Sequence, residues 1–237
     1  MNYEKTLLRC VTEMENDSAV VASSVRKEYN IGGTIVEALK GVDLTIHSGE
    51  FVTVSGPSGA GKTTLLNIIS GLEKPTSGEI KVLGHDLSKY DELFLANFRC
   101  TNIGYVFQSY NLISTLTTKE NLAFPMQLAG WDTDRIEQKT EELLQLAGLT
   151  SRADHFPSQL SGGEQQRVAF VRALANDPLI FLADEPTGNL DLETGLKIIE
   201  ILSGLKRKKT VVVVTHDERV IRLADMALSM VDGKIVL

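Results

Sequence analysis

With 237 residues, 43% of them hydrophobic, the chain has material for one sizeable domain with a core of its own, and global disorder is excluded. A net charge of −7 disfavours a general binder of phosphate backbones, so no nucleic-acid partner is expected, while one small anion pocket is compatible with it. Apolar runs such as Val211 to Val214 fall far short of the ~18 residues of a membrane span, and two cysteines, Cys10 and Cys100, are too few for a disulfide framework and fit a reducing cytosol.

Residues 1–18 read as an extension ahead of a domain over 19–237. Its charges, Glu4, Lys5, Arg9 and Glu13, leave no apolar core of the secretory kind. Val20 to Ala22 predicts a first strand, with Tyr29 some way beyond it, and Phe51 to Ser55 predicts a second. Directly after it comes Gly56-Pro57-Ser58-Gly59-Ala60-Gly61-Lys62-Thr63, which satisfies the phosphate-loop pattern G-x-x-x-x-G-K-[ST] at every position. The glycines let backbone N–H groups wrap a phosphate in conformations that a β-carbon would obstruct. A helix starting near Lys62 adds its positive end. Lys62 would then reach the β- and γ-phosphates, the Thr63 hydroxyl would ligate magnesium, and Thr64 offers an extra phosphate contact. These residues imply a nucleoside triphosphate.

The helix holding Leu65 to Ile69 is closed by Gly71, with Pro75 beyond. Glu79 to Leu83 and Ile103 to Phe107 read as strands. Residues 117–147 carry two helical patterns, the second from Thr133 to Ala147 with Ile136, Leu143, Leu144 and Ala147 on one face and Gly148 as its stop. A mostly helical lobe is therefore expected at roughly 109–165, inserted into an α/β core. Ile180 to Ala183 is apolar on both faces, as in a strand covered by helices on each side. It ends in Asp184-Glu185, at the edge where an open α/β sheet binds ligands. Asp184 suits the magnesium-facing position opposite Thr63, and Glu185 is free to take a proton from attacking water. A helix is expected from about Leu192 to Lys206, and the basic run Lys206 to Lys209 then meets the negative end of its dipole. Val211 to Thr215 and Met226 to Met230 supply further strands. His216 follows the first of them in the topological position of Asp184, which points to a γ-phosphate contact; His47, His85 and His155 receive no role.

Leu160-Ser161-Gly162-Gly163-Glu164-Gln165-Gln166-Arg167 is the most specific stretch. Ser161, Gly162 and Gly163 open a helix expected from Glu164 to Asn176, a second anion-binding helix start. Two such starts in one chain suggest a site completed by two chains. This stretch resembles the signature motif of ABC ATPases, and the remaining motifs fall in that family's order across 19–237. The resemblance implies a P-loop NTPase core of the ABC ATPase type, with an N-terminal antiparallel β part and an inserted helical subdomain. It implies that Ser161, Gly162 and Gly163 cap the γ-phosphate held by the other subunit's phosphate loop. Tyr29 resembles the aromatic that stacks on adenine, and Gln108 the glutamine that contacts magnesium and the attacking water. Gly188-Asn189-Leu190-Asp191 resembles the loop that crosses the dimer interface after the catalytic glutamate, which places Asp191 at the composite site.

The implied function is that of the magnesium-dependent, ATP-hydrolysing subunit of an ABC transporter. It would work with a second copy of itself and power a separate integral membrane permease, from a cytoplasmic position on the inner face of the membrane. ATP would close the dimer and hydrolysis would open it. The segment bearing Gln108, Tyr110, Leu112 and Leu116 is expected to receive a helix of that permease. Tyr105 to Ile113 and Asp184 to Asp191 further resemble the branch serving macrolide exporters, lipoprotein-release systems and the related cell-division ATPase. Non-transport ABC ATPases, either force-transmitting on a permease-like partner or soluble regulatory modules, remain the alternative.

Overall fold

The computed structural model describes residues 18–188 and 190–236. Cys10 and the expected extension up to residue 17 lie outside them, as does Asn189. In chain order the elements are β1 (Ser18–Ile31), β2 (Thr34–His47), β3 (Phe51–Ser55), α1 (Lys62–Ile69), β4 (Ser77–Val82), β5 (His85–Asp86), α2 (Glu92–Asn102) and β6 (Ile103–Val106). There follow α3 (Thr118–Leu128), α4 (Thr133–Ala147), α5 (Gly162–Arg172), β7 (Ile180–Asp184), α6 (Leu192–Leu205), β8 (Thr210–Val214), α7 (Glu218–Ile221), β9 (Met226–Val231) and β10 (Lys234–Val236).

β1 and β2 form a long antiparallel ribbon turned by Gly32-Gly33 at φ 58° and 88°, a two-residue loop whose left-handed backbone matches the strand twist. Periodicity points only to Val20–Ala22 as strand. The real strand continues because the ladder slips between Ala22/Val25, Val25/Arg26 and Lys27/Glu28, and each slip changes which side chains face the core. β4 and β5 complete a four-stranded sheet in the order β2-β1-β4-β5.

The second sheet runs β10-β9-β3-β8-β7-β6, parallel from β9 to β6 with β10 antiparallel at the edge. Its central strands read as apolar runs because their alternate residues serve two different cores. Val52, Val54, Leu182, Val212 and Val214 face the antiparallel sheet and Leu65, Leu66, Ile68 and Ile69 of α1. Phe51, Phe181, Ala183, Val211 and Val213 face the opposite side, against Phe170 of α5, Leu122 of α3, and Ile198 and Leu202 of α6. The Phe170 and Phe181 rings meet at 4.9 Å. Each such fully buried Val, Leu, Ile or Phe side chain contributes about 1.5–3 kcal/mol. This is the α/β P-loop core with an antiparallel β part that the motifs imply.

α3, α4 and α5 make up the helical part. Thr117 and Glu120 form a capping box at the start of α3. Asp132 caps α4, which buries Ile136, Leu143, Leu144 and Ala147 and stops at Gly148 with φ 65°. Both ends of α5 differ from the sequence expectation, and several strands shift by a residue or two, β4 to Ser77–Val82 and β8 to Thr210–Val214. α5 begins at Gly162, because Ser161 is already its N-cap, and it ends at Arg172; Asn176 instead donates to the carbonyls of Cys100 and Pro125. α6 ends at Leu205, and the basic run pairs outward, Lys206 with Asp225 and Lys209 with Asp177. α2 was not foreseen: it buries only Leu95 and Phe98 and leaves Leu93 74% exposed, so its sequence carries little helical period. Among the described residues no helix is long and apolar enough to cross a membrane.

Candidate functional site

The carboxyl ends of β3, β7 and β8 reach one edge of the parallel sheet, and each delivers a polar group there. From β3 the chain enters Gly56–Gly61 and then α1. Gly56 has φ 140°, and a β-carbon there would collide with the Met230 carbonyl; Gly61 has φ 97° and meets the Ala38 carbonyl in the same way. Glycine is therefore required at both ends of the loop by close backbone approach as well as by φ. Lys62 folds back so that Nζ donates to the carbonyls of Gly56 and Pro57, the latter at 2.9 Å.

From β7 come Asp184 and Glu185. Asp184 is buried, and its Oδ2 accepts from Thr63 Oγ1 at 2.6 Å. Burial raises its carboxyl above the usual range, and the Thr63 bond and the Lys62 charge counter that. Glu185 holds φ 49°, a left-handed conformation uncommon for a non-glycine residue. Its N–H donates to the Val214 carbonyl at 2.9 Å, its carbonyl accepts from Gly188 N–H at 3.0 Å, and Gln166 Nε2 donates to the next carbonyl, Pro186, at 2.9 Å. Burial pushes the Glu185 carboxyl upward, and His216 pulls it down. His216, just past β8, places Nε2 3.5 Å from Glu185 Oε1.

Ser58 through Thr64, Gln108, Asp184, Glu185 and His216 line a single cleft of about 570 Å³, together with Ala38, Gly188 and Val214. Tyr29, on β1, does not line this cleft; its hydroxyl donates to Glu73, and burial raises the pKa of its phenol while the side chain of Thr64, which does line the cleft, lowers it. Ser161, Gly162, Gly163 and Asp191 do not line it. Ser161 Oγ accepts from Glu164 N–H and donates to Glu164 Oε2 at 2.9 Å, and Gly162 lies near the Tyr110 hydroxyl. Asp191 caps α6 by accepting from Thr194 N–H and Oγ1. Ala38 carries no chemical signal in the sequence, and Gln166, although it lies inside the signature stretch, receives no role there because it acts through a carbonyl 20 positions away.

A family model described as ABC transporter matches residues 39–188. The chain belongs to the ABC transporter family of ATP-binding proteins. An uncharacterized ABC transporter ATP-binding protein of Thermotoga maritima is 47% identical over 89% of this chain and 91% of its own length. The macrolide export ATP-binding/permease protein MacB of Escherichia coli K12 is 44% identical over 90% of this chain, which spans only 33% of that longer protein. Among solved structures, the ATP-binding cassette MJ0796 in a dimeric post-hydrolysis state bound to ADP and Pi superposes with a TM-score of 0.88, at 44% identity, covering 92% of this chain and 97% of that one. The protein is thus an ATP-binding, ATP-hydrolysing cassette of the ABC transporter type.

Proposed function

We propose that this cassette works as two copies closed around ATP, and that closure and hydrolysis drive an integral membrane permease. The observation that carries this reading is the separation of two anion-binding helix starts. Lys62 and Thr63 line the cleft, whereas Ser161, Gly162 and Gly163, at the start of α5, do not. Two copies about a two-fold axis would bring each Ser161 to the other copy's phosphate loop and complete both sites at once.

In each site the loop amides from Gly56 to Thr63 and the N-terminus of α1 bind phosphate oxygens, and Lys62 moves from the Gly56 and Pro57 carbonyls onto the β- and γ-phosphates. The hydroxyl of Thr63, the carboxylate of Asp184 and the amide oxygen of Gln108 are the hard oxygen donors that magnesium takes, and these residues would hold the ion. When bound, magnesium neutralises charge on the β- and γ-phosphate oxygens. Glu185 accepts the proton of the attacking water, and His216 contacts the γ-phosphate beside it. Tyr29 stacks on the base. Asp191 holds the interface loop by capping α6. The Gln108–Leu116 segment receives the permease, placing the cassette peripherally on the membrane.

The test is cysteine cross-linking. Leu112→Cys and Leu116→Cys in a tagged chain, with the membrane fraction solubilised in mild detergent, should trap an integral membrane protein. An active, ATP-hydrolysing membrane complex that yields no cross-link from either position would remove the Gln108–Leu116 segment as the surface that receives the permease.

A further inference from the structure

Tyr29 is fastened at its far end. Its hydroxyl donates to Glu73 Oε2 at 2.6 Å, across 44 positions of sequence. Glu73 lies in the turn after α1, where its N–H donates to the Asn67 carbonyl at 3.1 Å. Its second oxygen, Oε1, accepts from Asn67 Nδ2 at 2.9 Å, and Asn67 Oδ1 accepts from the Tyr105 hydroxyl at 3.0 Å. Lys27 Nζ lies 3.2 Å from Glu73 Oε2, donates to the Lys74 carbonyl at 2.9 Å, and stands 5.1 Å from the centre of the Tyr29 ring. The carboxylate thus has partners on both oxygens and is tied to the helix that carries the phosphate loop. These bonds hold Glu73 below the usual carboxylate range although its burial works the other way. It stays an anion and a strong acceptor for the phenol.

We infer that Glu73 is the positioning residue of the base site: it pins the Tyr29 ring so that the base meets a preformed platform. This rests on Tyr29 being the residue that stacks on the base. An unpinned tyrosine samples three χ1 wells. Apparent affinity falls with the fraction of the chain in the competent conformation. Losing the phenol–carboxylate bond should therefore weaken ATP binding about 3–10-fold, through the base alone.

Calorimetric titration of the full chain with ATP and with inorganic tripolyphosphate separates the possibilities. Glu73→Ala and Tyr29→Phe should each weaken ATP by that same factor and leave tripolyphosphate unchanged. Glu73→Gln should recover most of the affinity, because its amide oxygen still accepts from the phenol. In a Tyr29→Phe background, Glu73→Ala should add nothing. If Glu73→Ala does not fold, Tyr29→Phe and Glu73→Gln carry the test, since they remove and keep the same bond. Equal weakening of ATP and tripolyphosphate, or a Glu73→Ala effect that persists with Tyr29→Phe, would overturn the inference. So would wild-type ATP affinity in Tyr29→Phe while Tyr29→Ala binds weakly, with the base platform left standing. Wild-type affinity in Tyr29→Ala would overturn the platform itself and the inference with it.

Discussion

Thr63 Oγ1 donates to Asp184 Oδ2 at 2.6 Å, joining the first turn of α1 to the last residue of β7 across 121 positions. One bond therefore ties the phosphate loop to the strand end that carries the carboxylates. It also holds a hydroxyl and a carboxylate oxygen side by side, as a cation with oxygen ligands requires.

Thr63→Ala should raise the magnesium concentration for half-maximal hydrolysis about 10–100-fold, the usual cost of losing a partner at a metal site. It should also lower stability by about 1.5–3 kcal/mol, as for a lost hydrogen bond to a charged group. Thr63→Ser keeps the hydroxyl and should stay near wild type. Phosphate release followed through a magnesium titration measures the first effect and thermal unfolding the second. An unchanged magnesium requirement in Thr63→Ala would count against the assignment.

The pH dependence follows from Glu185. The carboxyl must be deprotonated to accept a proton, and burial raises its pKa. The acid limb of kcat/KM should therefore lie above the ~4.3 of a free glutamate, with activity falling as pH drops through that raised value. His216 pulls the carboxyl down, so His216→Ala should move the limb to higher pH as well as slow turnover. A pH–rate profile whose acid limb is the same in both proteins would contradict the pairing.

Gln166, on α5, braces the loop that follows β7. It is 2% exposed, and its Nε2 is the donor to the Pro186 carbonyl, next to Glu185 at its left-handed φ. Gln166→Leu leaves that carbonyl without this partner, at a cost of about 1–3 kcal/mol. Turnover should fall several-fold while KM for ATP changes little, because Gln166 does not line the cleft formed by the phosphate loop. Steady-state kinetics beside a melting curve checks this; a rise in KM with kcat intact would refute it.

Much of the site was legible because its chemistry is contiguous. Gly56 to Thr63 is one uninterrupted motif after an apolar run, and Asp184-Glu185 and His216 each follow a strand that is apolar on both faces. What stayed hidden depends on distant partners or broken periods. In β2 only the second half carries a strand period, Val42, Leu44 and Ile46 buried between the exposed Asp43, Thr45 and His47; ahead of it Ile35 and Val36 are exposed and Gly41 at φ 81° breaks the alternation, so the full length of the strand is not marked. Glu73 looks like an ordinary polar residue until the fold brings Tyr29 against it, and Gln166 shows only its motif until Pro186 comes against it. The end of α5 was misplaced because Ala173 to Asn176 suits a helix locally. There the Arg172 guanidinium reaches the carbonyls of Tyr110 and Asn111, and Asp177 turns at φ 52°.

The central claim is that ATP joins two copies and hydrolysis parts them. Glu185→Gln keeps the shape of the loop but removes the carboxylate proposed as general base, which should slow hydrolysis roughly 10²–10⁴-fold and leave ATP bound. Each γ-phosphate would then stay between Lys62 of one copy and Ser161 of the other, a contact that ADP cannot make, so the nucleotide favours the closed pair only before cleavage. The direct measurement is light scattering on Glu185→Gln with ATP, with ADP, and with ATP after a further Ser161→Arg change. The account predicts dimer, monomer and monomer, in that order; a Glu185→Gln protein saturated with ATP that remains monomeric at high concentration would contradict it.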